Sequence, residues 1–157
     1  MKKLEITVPI TEVSFEELTP IQQRLVELAR EATYRSYAPY SHFCVGAAIE
    51  LDNGEIVTGA NQENAAYPSG TCAERSACYY AHARYPEAKF LQIAVAARGT
   101  DGEPVADPVA PCGACRQALL EYETLAGHDV TVILVGREKI YILPSVRSTL
   151  PLAFSEF

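Results

Sequence analysis

Tryptophan is absent from the 157 residues, so none precedes a cysteine pair, which weighs against a thioredoxin-like redox site. Basic side chains are scarce: Lys plus Arg number 13 against 20 Asp plus Glu, a net charge of -7. Binding to a long nucleic acid rests on Lys and Arg meeting phosphates, so no polymeric nucleic acid is expected as partner. A single neutral nucleoside is not excluded by that balance. No run approaches the roughly 18 apolar residues of a membrane span, so no membrane partner is expected either. Lys2 and Lys3 precede a short apolar stretch, but Glu5 and Pro9 interrupt it, and it does not read as a signal peptide. There is no repeat, no low-complexity tract and no linker.

What is present fits one soluble domain with a real core. Apolar residues make up 48% and charged residues 21%. Five cysteines without an export signal suggest the reducing cytoplasm, where metal or catalytic roles are likelier than disulfides.

The chain divides into an N-terminal extension, 1–18, and a single domain, 19–157. The extension alternates Leu4, Ile6, Val8 and Ile10 in a strand-like way. Thr19 can cap a helix that Pro20 opens, with Ile21, Leu25, Leu28, Ala29 and Ala32 on one face, ending near 34–36. Strands follow at 44–51 and 55–60, joined at Asp52-Asn53-Gly54. A polar loop, 61–70, leads to a helix over 72–84 and a buried strand over 90–97. After a Gly-, Pro- and Asp-rich loop come a helix over 112–122, a strand over 130–135, a short strand over 138–143 and a helical turn near 146–149. This order implies an α/β fold, one sheet covered by helices.

The chemistry concentrates in Cys72-Ala-Glu74-Arg75 and, 40 residues after Cys72, Cys112-Gly-Ala-Cys115-Arg116. Three soft ligands suit zinc and leave its fourth position open, as a catalytic site requires. Cys112 and Cys115 share one helix face at i, i+3. Both helices would point their N-termini at the metal, where they favour the negative charge of the thiolates. Arg75 and Arg116 are candidates to offset the rest. Other readings stand beside this one. Thr71-x-x-Glu74 is also a capping box, in which Glu74 only holds a helix start. Cys112 and Cys115 opening a helix also fit a redox dithiol. A structural zinc could recruit Cys44 as fourth ligand, while Cys78 lies about 240° round the helix from Cys72 and points away. Cys44 and Cys78 read more simply as core thiols, and His42, His82 and His128 have no partner at ligand spacing.

The paired motif resembles the zinc nucleoside and nucleobase deaminases. Tyr40-Ser-His-Phe43, Val45-Gly-Ala-Ala48, Asn61-Gln-Glu63-Asn64-Ala65, Tyr67-Pro68 and Cys112-Gly-Ala-Cys115-Arg-Gln117 are together similar to the small homotetrameric cytidine deaminases, over residues 20–154. Cys44 departs from the proline common at that position, and the first 18 residues lack a counterpart in the shortest members.

The resemblance implies a three-layer α/β/α fold with a central mixed sheet of about five strands. It implies one zinc per chain on Cys72, Cys112 and Cys115, with Glu74 as proton shuttle and Arg75 bracing the thiolates. Phe43 would meet the base, Asn61 and Glu63 a sugar hydroxyl, and the backbone near Ala65 and Ala73 the base edge. Tyr67 and Phe154 would complete a neighbouring subunit's pocket in a homotetramer with shared sites. The implied activity is hydrolytic deamination of cytidine and deoxycytidine to uridine and deoxyuridine, in pyrimidine salvage.

Overall fold

A computed structural model of the chain describes residues 1–155. Nine regular elements form three layers: β1 (Thr11–Val13), α1 (Pro20–Ala32), β2 (Cys44–Leu51), β3 (Ile56–Ala60), α2 (Ala73–Arg84), β4 (Phe90–Arg98), α3 (Gly113–Ala126), β5 (Thr131–Val135) and β6 (Ile140–Leu143). The strands make one six-stranded sheet in the order β1-β6-β5-β4-β2-β3. Every neighbouring pair is antiparallel except β4 and β5, which run parallel and are joined through α3.

Strand alternation divides the core. Ala47, Ile49, Ile93, Val95, Val132 and Leu134 face α2 and α3, packing with Ala77, Cys78, Leu119 and Leu120. Ala48, Ala94, Ala96, Ile133 and Val135 face α1, packing with Leu25, Val26 and Ala29. Helices on both faces bury the central strands, which is why β4 and β5 read as continuous apolar runs.

Two glycines let helices sit close to the sheet. A Cβ on Gly46 would lie 2.2 Å from the Ala29 carbonyl oxygen of α1. A Cβ on Gly59 would lie 2.6 Å from both the Ala73 carbonyl oxygen and the Ala77 nitrogen of α2. Gly59 therefore sets how near the first turn of α2 comes to β3.

The sheet has six strands, not five. Thr11–Val13 pairs with Ile142–Ile140 of β6 and adds an edge strand. The alternating segment before it forms no strand: Leu4, Ile6 and Ile10 are all more than half exposed. β6 is only four residues long, so it offers ladder partners to residues 11–13 and leaves the earlier ones unpaired. At the other ends the differences are small. α3 continues to Ala126, where Gly127 closes it in the left-handed region with φ 75°. β3 begins at Ile56 because Asp52–Glu55 is spent on the turn, with the Leu51 N–H donating to the Glu55 carbonyl.

Candidate active site

Cys72 and Cys112 occupy equivalent places: each is the N-cap of its helix, α2 and α3 respectively, and neither sulfur caps the helix. Both thiols are therefore left to point past the helix starts. Cys115, one turn into α3, is fully buried, whereas Cys112 is exposed. The three sulfur atoms lie within 4.8 Å of one another. Cys72 and Cys112 are 3.8 Å apart, sulfur to sulfur. A tetrahedral zinc with Zn–S bonds near 2.3 Å requires sulfurs about 3.8 Å apart, so this pair already has the required span. The donor set and its spacing fit zinc. Cys44 and Cys78 stay out of the cluster. The buried Cys78 thiol donates to the Arg75 carbonyl, and burial pushes it up to about 12.

The charges beside the sulfurs are arranged around Arg75. Its Nη2 lies 3.8 Å from the Cys72 sulfur. The Cys72 thiol is held down to about 5, first by the hydrogen bond from Cys115, then by Arg75 and Cys112, against the opposing effect of burial. Cys115 is pushed up, because it supplies that bond and is buried. Arg75 Nε is buried with no partner among the described residues, a donor with spare capacity against this electron-rich cluster. Arg116 does not share the task. Its Nε donates to the Pro111 carbonyl at 2.7 Å and its Nη1 to the Thr149 carbonyl at 2.8 Å, tying the start of α3 to the C-terminal turn.

Glu74 is 4% exposed, in the first turn of α2. Burial raises its carboxyl above the ordinary range, the Cys72 charge adds to this, and its own backbone N–H and the Cys115 thiol oppose it. The capping-box explanation for this glutamate fails. Cys72, not Thr71, is the N-cap, so the third helical position belongs to Arg75, and the Thr71 hydroxyl donates to the Cys72 carbonyl instead. Glu74 is thus a buried carboxyl with a raised pKa beside three thiols that could hold a metal ion.

A cleft of about 490 Å³ opens next to Cys72 and Arg75, walled by Tyr40, Ser41, Asn61, Glu63 and Tyr67 among others. Asn61, Glu63 and Tyr67 are thus brought together with the metal cluster. Phe43, Ala65, Ala73 and Phe154 do not line it. Phe43 is half-buried, Ala65 is exposed and Ala73 is buried in α2. Phe154 lies in the tail, where its carbonyl accepts from Gln117 Nε2 at 2.7 Å; Glu156 and Phe157 lie outside the described residues. Tyr67 is 78% exposed and meets Tyr40 edge-on, ring centroids 6.1 Å apart.

One residue escaped sequence reasoning. Glu123 is buried, and its carboxylate accepts from the Val130, Val146 and Arg147 backbone N–H groups at 2.9, 2.7 and 3.0 Å. It ties α3 to the start of β5 and to the C-terminal turn, Arg147–Thr149. The available signal was its position: a charge at i+3 and i+4 from the core residues Leu120 and Leu119.

The family model for the cytidine and deoxycytidylate deaminase zinc-binding region matches residues 19–127. A cytidine deaminase of Halalkalibacterium halodurans is 39% identical over 137 residues, 85% of this chain and 94% of that one. One from Sporosarcina psychrophila is 37% identical, covering 85% of this chain and 91% of its own. Among solved structures, the cytidine deaminase of Burkholderia pseudomallei superposes with a TM-score of 0.71 at 36% identity, over 87% of this chain and all of that one. That of Mycobacterium tuberculosis gives 0.68 at 31% identity, over 86% and 98%.

Proposed function

The chain belongs to the zinc-binding cytidine and deoxycytidylate deaminase family, and from that premise we propose how its own residues work. It is a hydrolytic deaminase, converting cytidine and deoxycytidine to uridine and deoxyuridine with release of ammonia. The observation that carries the reading is the grouping of three thiols at two helix N-termini beside a buried glutamate.

Cys72, Cys112 and Cys115 hold the zinc. When bound there, the metal supplies a water acidified to a pKa of about 7, hence a nucleophile at neutral pH. Glu74 takes a proton from the attacking water and passes it to N3 of the base, which makes C4 electrophilic. The water oxygen bonds to C4. Glu74 then takes the remaining proton from the new C4 hydroxyl and gives it to the amino group, so that the C4–N bond breaks, ammonia leaves and C4 keeps a carbonyl. A carboxyl can serve both steps when its pKa lies near the working pH, which burial promotes here. Arg75 braces the Cys72 thiolate. Phe43 stands against the base, the backbone near Ala65 and Ala73 meets the base edge, and Asn61 and Glu63 hold the sugar hydroxyl.

Residues 19–157 form one domain, with 1–18 an extension that returns Thr11–Val13 to the sheet edge. Four chains assemble, with Tyr67 and Phe154 completing a neighbour's site. The exposure of Tyr40, Tyr67, Leu152 and Phe154 supports this, since large apolar surface is costly to leave in water. The enzyme serves pyrimidine salvage in the cytoplasm, whose reducing conditions suit its five free thiols.

The test combines metal analysis with loss of the cytidine absorbance band. About one zinc per chain and steady conversion to uridine are expected. Full activity in metal-free protein would overturn the reading, and an active protein with cytosine accepted as readily as cytidine would overturn the assignment of Asn61 and Glu63.

A further inference from the structure

The two residues assigned to the sugar are also engaged with the turn that carries Phe43. The Glu63 carboxylate accepts from the Tyr40 N–H at 2.8 Å, the Ser41 N–H at 3.2 Å and the Ser41 hydroxyl. The Ser41 oxygen in turn accepts from the Phe43 N–H at 3.1 Å. Asn61 closes the other side: its Nδ2 donates to the Phe43 carbonyl at 2.9 Å, and its Oδ1 accepts from the Val45 N–H at 2.8 Å. Between Ser41 and Phe43 the backbone of His42 adopts φ 56°, a left-handed conformation a non-glycine residue seldom takes without such restraint.

The same loop is laced to the preceding segment. Tyr37 N–H donates to the Asn61 carbonyl at 3.0 Å, and Glu63 N–H to the Tyr37 carbonyl at 2.8 Å. An isolated bridge between Tyr37 and Gln62 therefore ties residues 61–63 to the start of the 37–45 segment. Phe43 itself does not line the cleft, but Ser41, Asn61 and Glu63 do. Both backbone hydrogen-bonding groups of Phe43 are held by cleft-wall side chains.

We propose that Ser41, with Asn61 and Glu63, is a positioning residue for Phe43, so that the grip on the base is set by the same groups that face the sugar. This rests on reading the cleft as the nucleoside pocket and deepens it. A sugar hydroxyl arriving at Glu63 competes with the Ser41 hydroxyl for one carboxylate, and the Ser41 oxygen carries that change to Phe43. Base and sugar recognition are coupled through a single serine.

The experiment separates action on the sugar from action through Phe43. Ser41→Ala, Asn61→Asp and Ser41→Thr are compared with the unmodified protein on cytidine and on 2′,3′-dideoxycytidine, which lacks the hydroxyls Asn61 and Glu63 would grip. A residue that acts only on the sugar imposes no penalty on the second substrate. Ser41→Ala and Asn61→Asp are expected to lower kcat/KM roughly tenfold on both substrates, because small misplacements of a positioning group are costly. Ser41→Thr, which keeps the hydroxyl, should restore most of the loss. Zinc content stays at one per chain throughout.

Hydrogen exchange over residues 40–45 in substrate-free protein provides a readout independent of activity. It should speed up about tenfold in Ser41→Ala and Asn61→Ala. A penalty confined to cytidine would overturn the proposal, and so would unchanged exchange. If the unmodified protein deaminated neither substrate, the proposed function would fall, and the exchange measurement would decide this inference alone.

Discussion

The metal end and the cleft wall of this molecule are built by opposite means. Cys72, Cys112 and Cys115 ride on the starts of two helices that pack on the same face of the sheet. Their positions follow from rigid elements and from the glycine that admits α2 to β3. The wall made by Tyr40, Ser41 and Asn61–Glu63 has little regular structure. It is held by side chains that hydrogen-bond to backbone: Glu63 accepts from the Tyr40 and Ser41 N–H groups, and Asn61 donates to the Phe43 carbonyl and accepts from the Val45 N–H. The thiol cluster thus sits on rigid elements, and the cleft wall sits on loops held by side-chain hydrogen bonds.

The sharpest way to break this contrast is to remove a ligand. Cys112→Ala is expected to lose zinc and all activity above background, with a marked fall in melting temperature, because binding energy is also folding energy. Metal analysis, turnover and thermal unfolding check it. Glu74→Gln comes next. Since no capping role accompanies this residue, zinc and melting temperature should hold while turnover falls by about 10²–10⁴. Near-normal kcat would remove Glu74 from the mechanism.

Glu63→Ala acts on the wall alone. Its kcat/KM for cytidine should drop on the order of tenfold, with zinc unchanged, as expected when a hydrogen-bonded network loses its acceptor. Zinc loss in this variant would mean that the two regions are not separable. Gly59→Ala tests the scaffold from beneath. The added methyl meets the Ala73 carbonyl and the Ala77 nitrogen at 2.6 Å, so α2 must shift, at a cost of about 1–3 kcal/mol by chemical denaturation. The smallest effect is expected from deleting 150–157. Substrate binding should weaken a few-fold and the assembly loosen on light scattering, with zinc retained. A fully active monomer would end the shared-site reading and leave the deaminase assignment standing.

The three cysteines that the fold groups together could be picked out before any fold was known. Thiols at i, i+3 on one helix and a third beside a glutamate restrict the chemistry by ligand type and local spacing, and both are properties of neighbours in the chain. The helices, the β2–β3 hairpin and the core strands could be read for the same reason: apolar period and turn residues are local signals. Folding was needed to bring Cys72 within reach of Cys112 across 40 residues, and to place Cys72 rather than Thr71 at the helix start, which removes the capping explanation for Glu74. Folding also gave Thr11–Val13 a partner that Leu4–Ile10 lack, sent Arg116 to two carbonyls rather than to the thiols, and set Glu123 under three backbone N–H groups. Each of these depends on which distant atom lies within about 3 Å, and that distance belongs to the packed chain, where burial and charge act on every group within reach.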